Sequence, residues 1–286
     1  MPLVSVIVPV YNYGHFLAKA AESLIAQTEK DWECLLVDDG SSDSTALVCE
    51  ELVRRDSRFR YFFQSHRGLP AARNRGLREA SGRFIQFLDA DDWLEPGKLS
   101  HQISFLKAHP EIDLVYSDAL YDDGRAAVFF WGKRSDFLAA LARQNIAAVN
   151  SFLVRKSAAE EAGTFDESLG AYEDWDFWLR CALREKKFFY SPGGEGARAW
   201  VLTHSGSMIR DRKRMLEALV CVRRKHSAAL GGNAGKINRR LLSYDEGRLA
   251  FEELKSGAVT PARVGKVAAG VFAGLSGGRG DGLGRG

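Results

Sequence analysis

Cysteine and long apolar runs are scarce in this sequence, and both absences exclude classes of protein. The 286 residues include four cysteines, none in a C-x-x-C pair: Cys34, Cys49, Cys181 and Cys221. Neither a zinc site nor a disulfide framework is indicated, so we expect reduced, mostly buried thiols in a cytoplasmic protein. No apolar stretch reaches the roughly 18 residues of a membrane span, and the N-terminus lacks the pattern of a signal peptide.

An excess of one charge is also missing from the chain as a whole. It has 40 Lys and Arg against 37 Asp and Glu, a net charge of +3. That balance does not indicate a nucleic-acid-binding protein. The charge is uneven, however, because residues 210–240 hold ten basic side chains against only Asp211 and Glu217. This segment is either a docking surface for an anionic partner or a solvated helix face, and the sequence leaves both open.

Strand and helix patterns alternate through the first half of the chain. A continuous β-branched run at Leu3–Val8 is typical of a strand buried on both faces. Further strands are predicted at Trp32–Val37, Arg60–Phe63, Arg83–Leu88 and Ile112–Ser117. Helices are predicted at Phe16–Ala26, from Ser44 through Leu52, at Leu69–Ala80 and at Pro96–Ala108. This order predicts an α/β fold, with a mostly parallel sheet and helices on both faces.

The second half of the chain is less regular. Helices are predicted at Arg134–Arg143, Asp174–Leu183, Arg210–His226, Lys236–Leu254 and Pro261–Leu275, and extended segments at Lys187–Tyr190 and Gly196–Leu202. Gly231–Gly235 is predicted to break the helical pattern. We therefore predict a main domain over residues 1–209, a basic helical extension over 210–275 and a disordered Gly/Arg-rich tail over 276–286.

Polar and aromatic residues follow three of the predicted strands. They are Tyr11 after the first strand, Asp38 and Asp39 after the second, and Asp89, Asp91 and Asp92 after the fourth. Ligands of open parallel sheets bind at the carboxyl ends of the strands, so these residues are candidates for one binding site. Ordinary turn chemistry is the alternative for the second group, because Asp, Gly and Ser are common in turns.

The three carboxylates after the fourth strand indicate a metal ion. In a dry pocket Asp89, Asp91 and Asp92 would repel one another, and a divalent cation removes that difficulty. Carboxylate oxygens suit Mg²⁺ or Mn²⁺, which also bind substrate phosphates. The alternative is a solvated acidic turn.

Taken in order, the strand-end motifs resemble those of the family 2 glycosyltransferases, which are inverting enzymes with the GT-A fold. The resemblance rests on Val4–Asn12, Val37–Asp43, Gly68–Gly76, Phe87–Asp92 and, downstream, Tyr172–Arg180. It covers about residues 3–206 and not the C-terminal extension. It implies a Rossmann-like, mostly parallel sheet flanked by helices.

The resemblance also implies a nucleotide-sugar site. Pro9 and Tyr11 would flank the nucleoside base. Asp39 would accept a hydrogen bond from the uracil N3–H, with Asp38 supporting the loop. Arg73 lies where the family often places a basic group near the nucleotide.

A metal site follows from the same resemblance, with Mn²⁺ or Mg²⁺ as the cofactor. Asp89 and Asp91 form the D-x-D motif, and Asp91 would contact the ribose or the metal. Asp92 is the alternative ligand beside it. His204 resembles a downstream histidine that can approach the metal or the diphosphate, although it could equally be an ordinary loop residue.

Asp174 is the candidate catalytic base. An inverting transfer needs one carboxylate that takes the proton of the acceptor hydroxyl. Glu173 and Asp176 compete for this role, and acidic residues that merely favour a helix N-terminus are the structural alternative. Trp175 and Trp178 share a face of the same predicted helix and would form either core packing or a sugar-stacking wall.

These expectations describe a cytoplasmic enzyme that transfers a sugar, with UDP as the expected carrier. The acceptor implied by the family is a glycan or a lipid-linked oligosaccharide in cell-surface polysaccharide synthesis. The basic segment, together with the apolar Val264–Leu275, could hold the enzyme at the inner face of the membrane. The rivals are a non-catalytic nucleotide-sugar-binding scaffold and a nucleotidyltransferase, which would need a Gly-rich phosphate loop after the first strand.

Overall fold

The computed structural model describes residues 1–127, 137–206, 211–255 and 260–275. The strands are β1 Val4–Val10, β2 Trp32–Asp38, β3 Phe59–Phe63, β4 Phe84–Phe87, β5 Trp93–Leu94, β6 Leu114–Tyr116, β7 Ala119–Tyr121, β8 Phe152–Arg155, β9 Phe188–Tyr190 and β10 Ala199–Val201. The helices are α1 Gly14–Ile25, α2 Thr45–Arg55, α3 Leu69–Glu79, α4 Lys98–Ala108, α5 Phe137–Arg143, α6 Lys156–Ala162, α7 Glu173–Leu183, α8 Arg212–His226, α9 Gly232–Lys255 and α10 Pro261–Leu275.

The main sheet has seven strands in the order β3-β2-β1-β4-β8-β6-β9. Neighbouring strands run parallel except at β8, which is antiparallel to both β4 and β6. The prediction of an α/β fold with a mostly parallel sheet is confirmed. The sequence did not predict β8, because its run of three apolar residues is too short for periodicity to distinguish a strand from a helical segment.

The central strands of the main sheet are buried on both faces. All seven residues of β1 are buried, as its sequence pattern predicts. All seven residues of β2 are buried too, including the charged Glu33 and Asp38. Helix α3 approaches β1 so closely that a Cβ on Gly76 would lie 2.3 Å from Ile7 Cγ2. Each Val, Ile or Leu buried here contributes about 1.5–3 kcal/mol. This packing fixes where the loops after β1, β2 and β4 emerge.

A small second sheet lies beside those loops. Its order is β5-β10-β7, with β10 antiparallel to β5 and parallel to β7. Because β5 begins at Trp93, directly after Asp92, this sheet anchors the end of the acidic loop. The segment after β10, which contains Leu202 and His204, is thereby brought against the same loop.

Ion pairs hold the C-terminal helices to one another and to the main domain. Within the extension, Arg223 pairs with Asp245 and Arg224 with Glu246, whereas Lys225 pairs with Asp166 of the main domain. The first pair is buried, with Arg223 Nε 2.8 Å from Asp245 Oδ2. Much of the extension's charge is therefore matched internally.

One prediction for the extension is wrong. Helix α9 starts at Gly232, inside the predicted breaker, and only Gly231 lies outside it. Small residues are required there, because a Cβ on Gly235 would lie 2.3 Å from the Leu230 carbonyl oxygen. Arg210, the boundary at 209/210 and the predicted tail at 276–286 lie outside the described residues. Within the described residues, no helix is long and apolar enough to cross a membrane.

Candidate active site

The carboxyl ends of β1, β2 and β4 open into one cleft of about 690 Å³, a size typical of small-molecule sites. The predicted residues that line it are Pro9, Tyr11, Asp39, Asp89, Asp91 and Asp92. The structure therefore brings the three strand ends together. Asp38, Arg73, Asp174 and His204 lie outside this lining. Of these, Arg73 bonds to Asp89 and His204 to Asp91, which both line the cleft.

Asp38 is buried beneath the loop that follows β2. Its Oδ1 accepts a 2.8 Å hydrogen bond from the Ser41 amide, and its Oδ2 accepts a 2.9 Å bond from the Tyr61 hydroxyl. Both oxygens therefore hold the turn. This geometry agrees with a supporting role for Asp38.

Asp39 lines the cleft and also organises the loop before α3. Its Oδ1 accepts bonds from Gln64 Nε2 at 2.7 Å and the Arg67 amide at 2.9 Å, and its Oδ2 accepts the Gly68 amide at 2.7 Å. His66 Nδ1 lies 2.9 Å from Oδ2. A carboxylate has about four acceptor positions, so most of those on Asp39 are occupied. Recognition of a base by Asp39 stays a prediction.

An aromatic surface stands beside Asp39. The rings of Tyr11 and His66 stack with centroids 4.1 Å apart and planes 26° apart. Tyr11 directly follows the buried strand β1 and is itself 44% exposed. An exposed aromatic face at a strand end suits stacking by a nucleobase.

Asp91 lies beside the predicted histidine. Asp91 Oδ2 is 3.1 Å from His204 Nε2. Burial and the neighbouring charge of Asp89 raise the pKa of Asp91. The rings of Tyr13 and Phe16 surround the histidine, with centroids 5.6 and 4.7 Å from that of His204. His204 is therefore held in place against the acidic loop.

Asp92 is engaged by protein donors. Its Oδ1 accepts the Leu202 amide and its Oδ2 accepts Asn150 Nδ2, both at 2.9 Å. Asp92 is 4% exposed. Metal ligation by Asp92 would compete with these two bonds and stays a prediction.

Arg73 lies below the cleft and not in it. The residue is 1% exposed, and Nη2 donates a 2.6 Å bond to Asp89 Oδ1 while Nη1 donates to Glu173 Oε1. The guanidinium thus joins two carboxylates of the candidate site. Direct contact between Arg73 and a nucleotide stays a prediction.

Asp174 lies in the first turn of α7. Asn145 Nδ2 donates to its Oδ2 at 2.8 Å and the Trp175 amide to its Oδ1 at 2.7 Å. Burial, followed by the charge of Glu173, raises the pKa of Asp174 to about 6. A carboxylate with this pKa can accept a proton near neutral pH.

The two competing carboxylates are engaged elsewhere. Glu173 pairs with Arg73, and the fully buried Asp176 accepts His226 Nε2 at 2.8 Å and Arg180 Nε at 3.0 Å. Like Asp174, neither lines the cleft, so the difference between the three carboxylates lies in their partners.

The two tryptophans of α7 are core residues. Trp175 is 1% exposed and donates to the Leu141 carbonyl at 2.8 Å, and Trp178 is fully buried and stacks on Phe152 at 4.2 Å. The core interpretation is confirmed for both, and neither forms a sugar-stacking wall.

The family model for glycosyl transferase family 2 matches residues 5–150. The chain belongs to glycosyl transferase family 2. It is 46% identical over 92 residues to glycosyltransferase GlyA of Streptococcus pneumoniae and 39% identical over 127 residues to the putative glycosyltransferase EpsH of Bacillus subtilis. These matches cover 32% and 43% of this chain but only 13% and 36% of those proteins. The chain thus spans a minor part of these relatives.

Solved structures show the fold of this family 2 member. Staphylococcus aureus TarS with UDP-GlcNAc is 18% identical, with a TM-score of 0.68 over 96% of this chain and 89% of that one. The mannosyltransferase PcManGT of Pyrobaculum calidifontis with GDP-Man and Mn²⁺ is 19% identical, with a TM-score of 0.64 over 96% and 81%. The expected GT-A fold is confirmed.

The residues present in this family 2 chain fit a divalent ion that is also held by substrate. Among the described residues, no three His, Cys, Asp or Glu side chains form a group placed to bind a metal. Mg²⁺ and related ions need only one or two protein carboxylates when substrate phosphates supply further ligands. Asp91 supplies one such carboxylate, and His204 lies 3.1 Å from it as a second candidate ligand.

Sequence reasoning missed three polar contributors to the site of this family 2 chain. They are His66, which stacks on Tyr11, Asn145, which bonds to Asp174, and Asn150, which bonds to Asp92. A lone Asn or His carries no periodic or spacing signal. Gly68 was included in a motif, but the bond of its amide to Asp39 was not predicted.

Proposed function

We propose that this chain is an inverting glycosyltransferase that transfers a sugar from a UDP-sugar to a hydroxyl of a glycan or lipid-linked acceptor in cell-surface polysaccharide synthesis. The observation that carries the proposal is the convergence of Tyr11, Asp39 and Asp91 on one cleft. An aromatic face, a hydrogen-bond acceptor and a metal-binding carboxylate are the groups that a base, its N–H and a diphosphate require.

The donor would bind with its base against Tyr11. Asp39 would accept the uracil N3–H in place of one of its four present neighbours, and Asp38 would keep the turn in shape. TarS binds UDP-GlcNAc in its solved structure, which supports a uridine donor here.

Asp91 and His204 would hold Mn²⁺ or Mg²⁺ beside the diphosphate, and PcManGT was solved with Mn²⁺. When bound, the ion neutralises charge that develops on the departing diphosphate. Asp89, fixed by Arg73, would face the same end of the donor.

Asp174 would act as the general base. It takes the proton of the acceptor hydroxyl while the hydroxyl oxygen attacks the anomeric carbon and the bond to the diphosphate breaks. A single displacement inverts the anomeric configuration. Asn145 keeps the carboxylate oriented during this step.

The direct test is a panel of nucleotide sugars with Mn²⁺, read as release of free nucleoside diphosphate. We expect release of UDP from a UDP-sugar and, when an acceptor with a free hydroxyl is supplied, a β-linked product from an α-linked donor by NMR. The Asp174→Asn variant serves as the matched control for contaminating hydrolases. Binding of UDP-sugars without turnover under any condition would favour the scaffold alternative.

We also propose that the enzyme is cytoplasmic and associates peripherally with an anionic membrane. Lys236, Arg239 and Arg240 are exposed on α9, and Arg240 reaches α10 with a 3.3 Å bond to a carbonyl. Val264 and Val271 on α10 are 53% and 55% exposed. Cations beside exposed apolar side chains suit a lipid surface.

Vesicle flotation tests this association. Full-length protein should bind vesicles of anionic lipid at low salt and dissociate at high salt, because surface charges are screened within about 10 Å at 0.1 M. Arg239→Glu should weaken binding, and Lys107→Glu on α4 should not. Equal binding to neutral and anionic vesicles, or none at low salt, would contradict the proposal.

A further inference from the structure

The buried guanidinium of Arg73 is a costly feature that needs an explanation. A buried charge requires partners that replace its hydration. Two of its nitrogens have carboxylate partners, but Nε is buried and has no hydrogen-bond partner among the described residues. Stability alone gives little reason to retain such a group, because buried ion pairs are often matched by apolar packing.

The partners of Arg73 come from two separate parts of the site. Asp89 follows β4 and lines the cleft, whereas Glu173 is the first residue of α7 and directly precedes Asp174. Arg73 itself lies on α3, which packs against β1 at Gly76. One side chain on the rigid centre of the fold therefore reaches both the donor side and the base-bearing helix.

We propose that Arg73 and Glu173 form a buried positioning unit, in which one guanidinium fixes both the donor-side carboxylate Asp89 and the helix end that carries Asp174. This inference rests on the proposed function and assigns no contact with substrate to either residue. The unit sets how far Asp174 lies from the donor, and it also sets the charge around that carboxylate.

The charges of Glu173 and Arg73 act on the pKa of Asp174 in opposite directions. After burial, the charge of Glu173 is the largest influence that raises the pKa of Asp174, and Arg73 opposes it. The other groups that face Asp174 are Asn145, which is neutral, and the neighbouring Tyr172. Glu173 thus strengthens the base, and Arg73 limits the effect.

Two substitutions should move the pH dependence in opposite directions. Glu173→Gln removes the negative charge, so the acid limb of the kcat profile should shift down by about 1 pH unit. Arg73→Gln leaves two unpaired neighbouring carboxylates, so the same limb should shift up by a similar amount. Arg73→Lys keeps the charge but cannot bridge both partners; its acid limb should stay near wild type while kcat falls.

The experiment is a set of pH profiles of donor turnover by the full chain, with melting curves for every variant. Arg75→Gln is the matched control, because Arg75 lies on α3, pairs with Glu79 and is 37% exposed. A purely structural role would lower the activity of all Arg73 and Glu173 variants without moving the acid limb. That result would overturn the proposal.

Two safeguards separate the possible failures. If Arg73→Gln does not fold, the other two variants still test the proposal. The acid limb of Glu173→Gln should shift, and that of Arg73→Lys should not. If wild-type protein turns over no nucleotide sugar, the proposed function has failed. If wild type is active and loses activity as Asp174→Asn but Glu173→Gln shows no shift, only this inference has failed.

Discussion

The side-chain amide of Asn145 donates a 2.8 Å hydrogen bond to Asp174 Oδ2. Together with the Trp175 amide on Oδ1, it orients the carboxylate at the start of α7 without neutralising it. Burial and the charge of Glu173 then raise its pKa to about 6. Orientation and basicity are therefore supplied by different neighbours, which makes them separable by mutation.

Asp174→Asn should lower transfer by about 10²–10⁴-fold, because the amide keeps the shape but cannot accept a proton. Affinity for UDP should change little, since Asp39 and Asp91 are untouched. Steady-state kinetics with calorimetry and a thermal melt make the test. The exposed Asp123→Asn is the control. Near-normal transfer by a folded, UDP-binding variant would eliminate Asp174.

Turnover should fall about tenfold per pH unit below about pH 6, because Asp174 acts only when ionised. Protonation of Asp174 should not itself destabilise the folded protein. The pKa of Asp174 in the folded protein lies above the ordinary value of 3.8, so binding of this proton favours the folded state. The contribution is fully present below pH 3.8 and is lost as the pH rises through 6. Parallel pH profiles of kcat and melting temperature check both statements. An acid limb near pH 4 would contradict the assignment.

Asp39→Asn should weaken UDP binding by about 1–3 kcal/mol, the value of a charge-assisted hydrogen bond. Part of this loss would come from the loop, because the amides of Arg67 and Gly68 both donate to Asp39. Isothermal calorimetry measures the change, with exposed Asp31→Asn as the control. Unchanged affinity in the folded variant would refute a role for Asp39 in base recognition.

Chelation by EDTA should abolish turnover, and Mn²⁺ or Mg²⁺ should restore it. Asp91→Ala should weaken UDP-sugar binding only when metal is present. His204→Ala should raise the Mn²⁺ concentration for half-maximal activity at least about tenfold, as loss of even an outer-shell metal partner does. The half-buried His109→Ala, distant in the chain from the acidic loop, should leave this concentration unchanged. Full activity in chelator would remove the metal site.

Asp245→Ala should destabilise the protein by about 3–5 kcal/mol, because it leaves the Arg223 charge buried and unpaired. Glu246→Ala is the matched control: its partner Arg224 is 52% exposed, so the loss should be about 0–1 kcal/mol. Urea unfolding of both variants measures the difference. Equal small losses would show that the buried Arg223–Asp245 pair contributes little to the packing of α8 against α9.

The strand ends could be predicted from the sequence because two local signals coincide there. The run at Leu3–Val8 marks a strand buried on both faces, and polar or aromatic residues such as Tyr11, Asp39 and Asp89 follow the predicted strands. Parallel topology then requires those ends to share an edge. Strand β8 and the start of α9 depend instead on packing against distant segments, which no short window of sequence contains.

The site residues were predictable from the sequence where they lie in local motifs. Asp39, Asp89 and Asp91 lie in motifs and reach the cleft as expected. The partners that set their properties come from far along the chain: Glu173 joins Arg73 across 100 residues, and Asn150 joins Asp92 across 58. A side chain's burial and charged neighbours are properties of the folded state, so the role of Arg73 could not be read from its motif.

The central position of β8 also dictates an order of assembly. Strands β1 to β4 can pair while the chain is being made, but β4 has an open edge until Phe152–Arg155 arrives, and β9 docks later still. An open edge is a template for pairing with other chains. A nascent chain that stalls between Phe87 and Phe152 therefore exposes that edge, and we expect the cellular yield of this protein to depend on how quickly translation passes that interval.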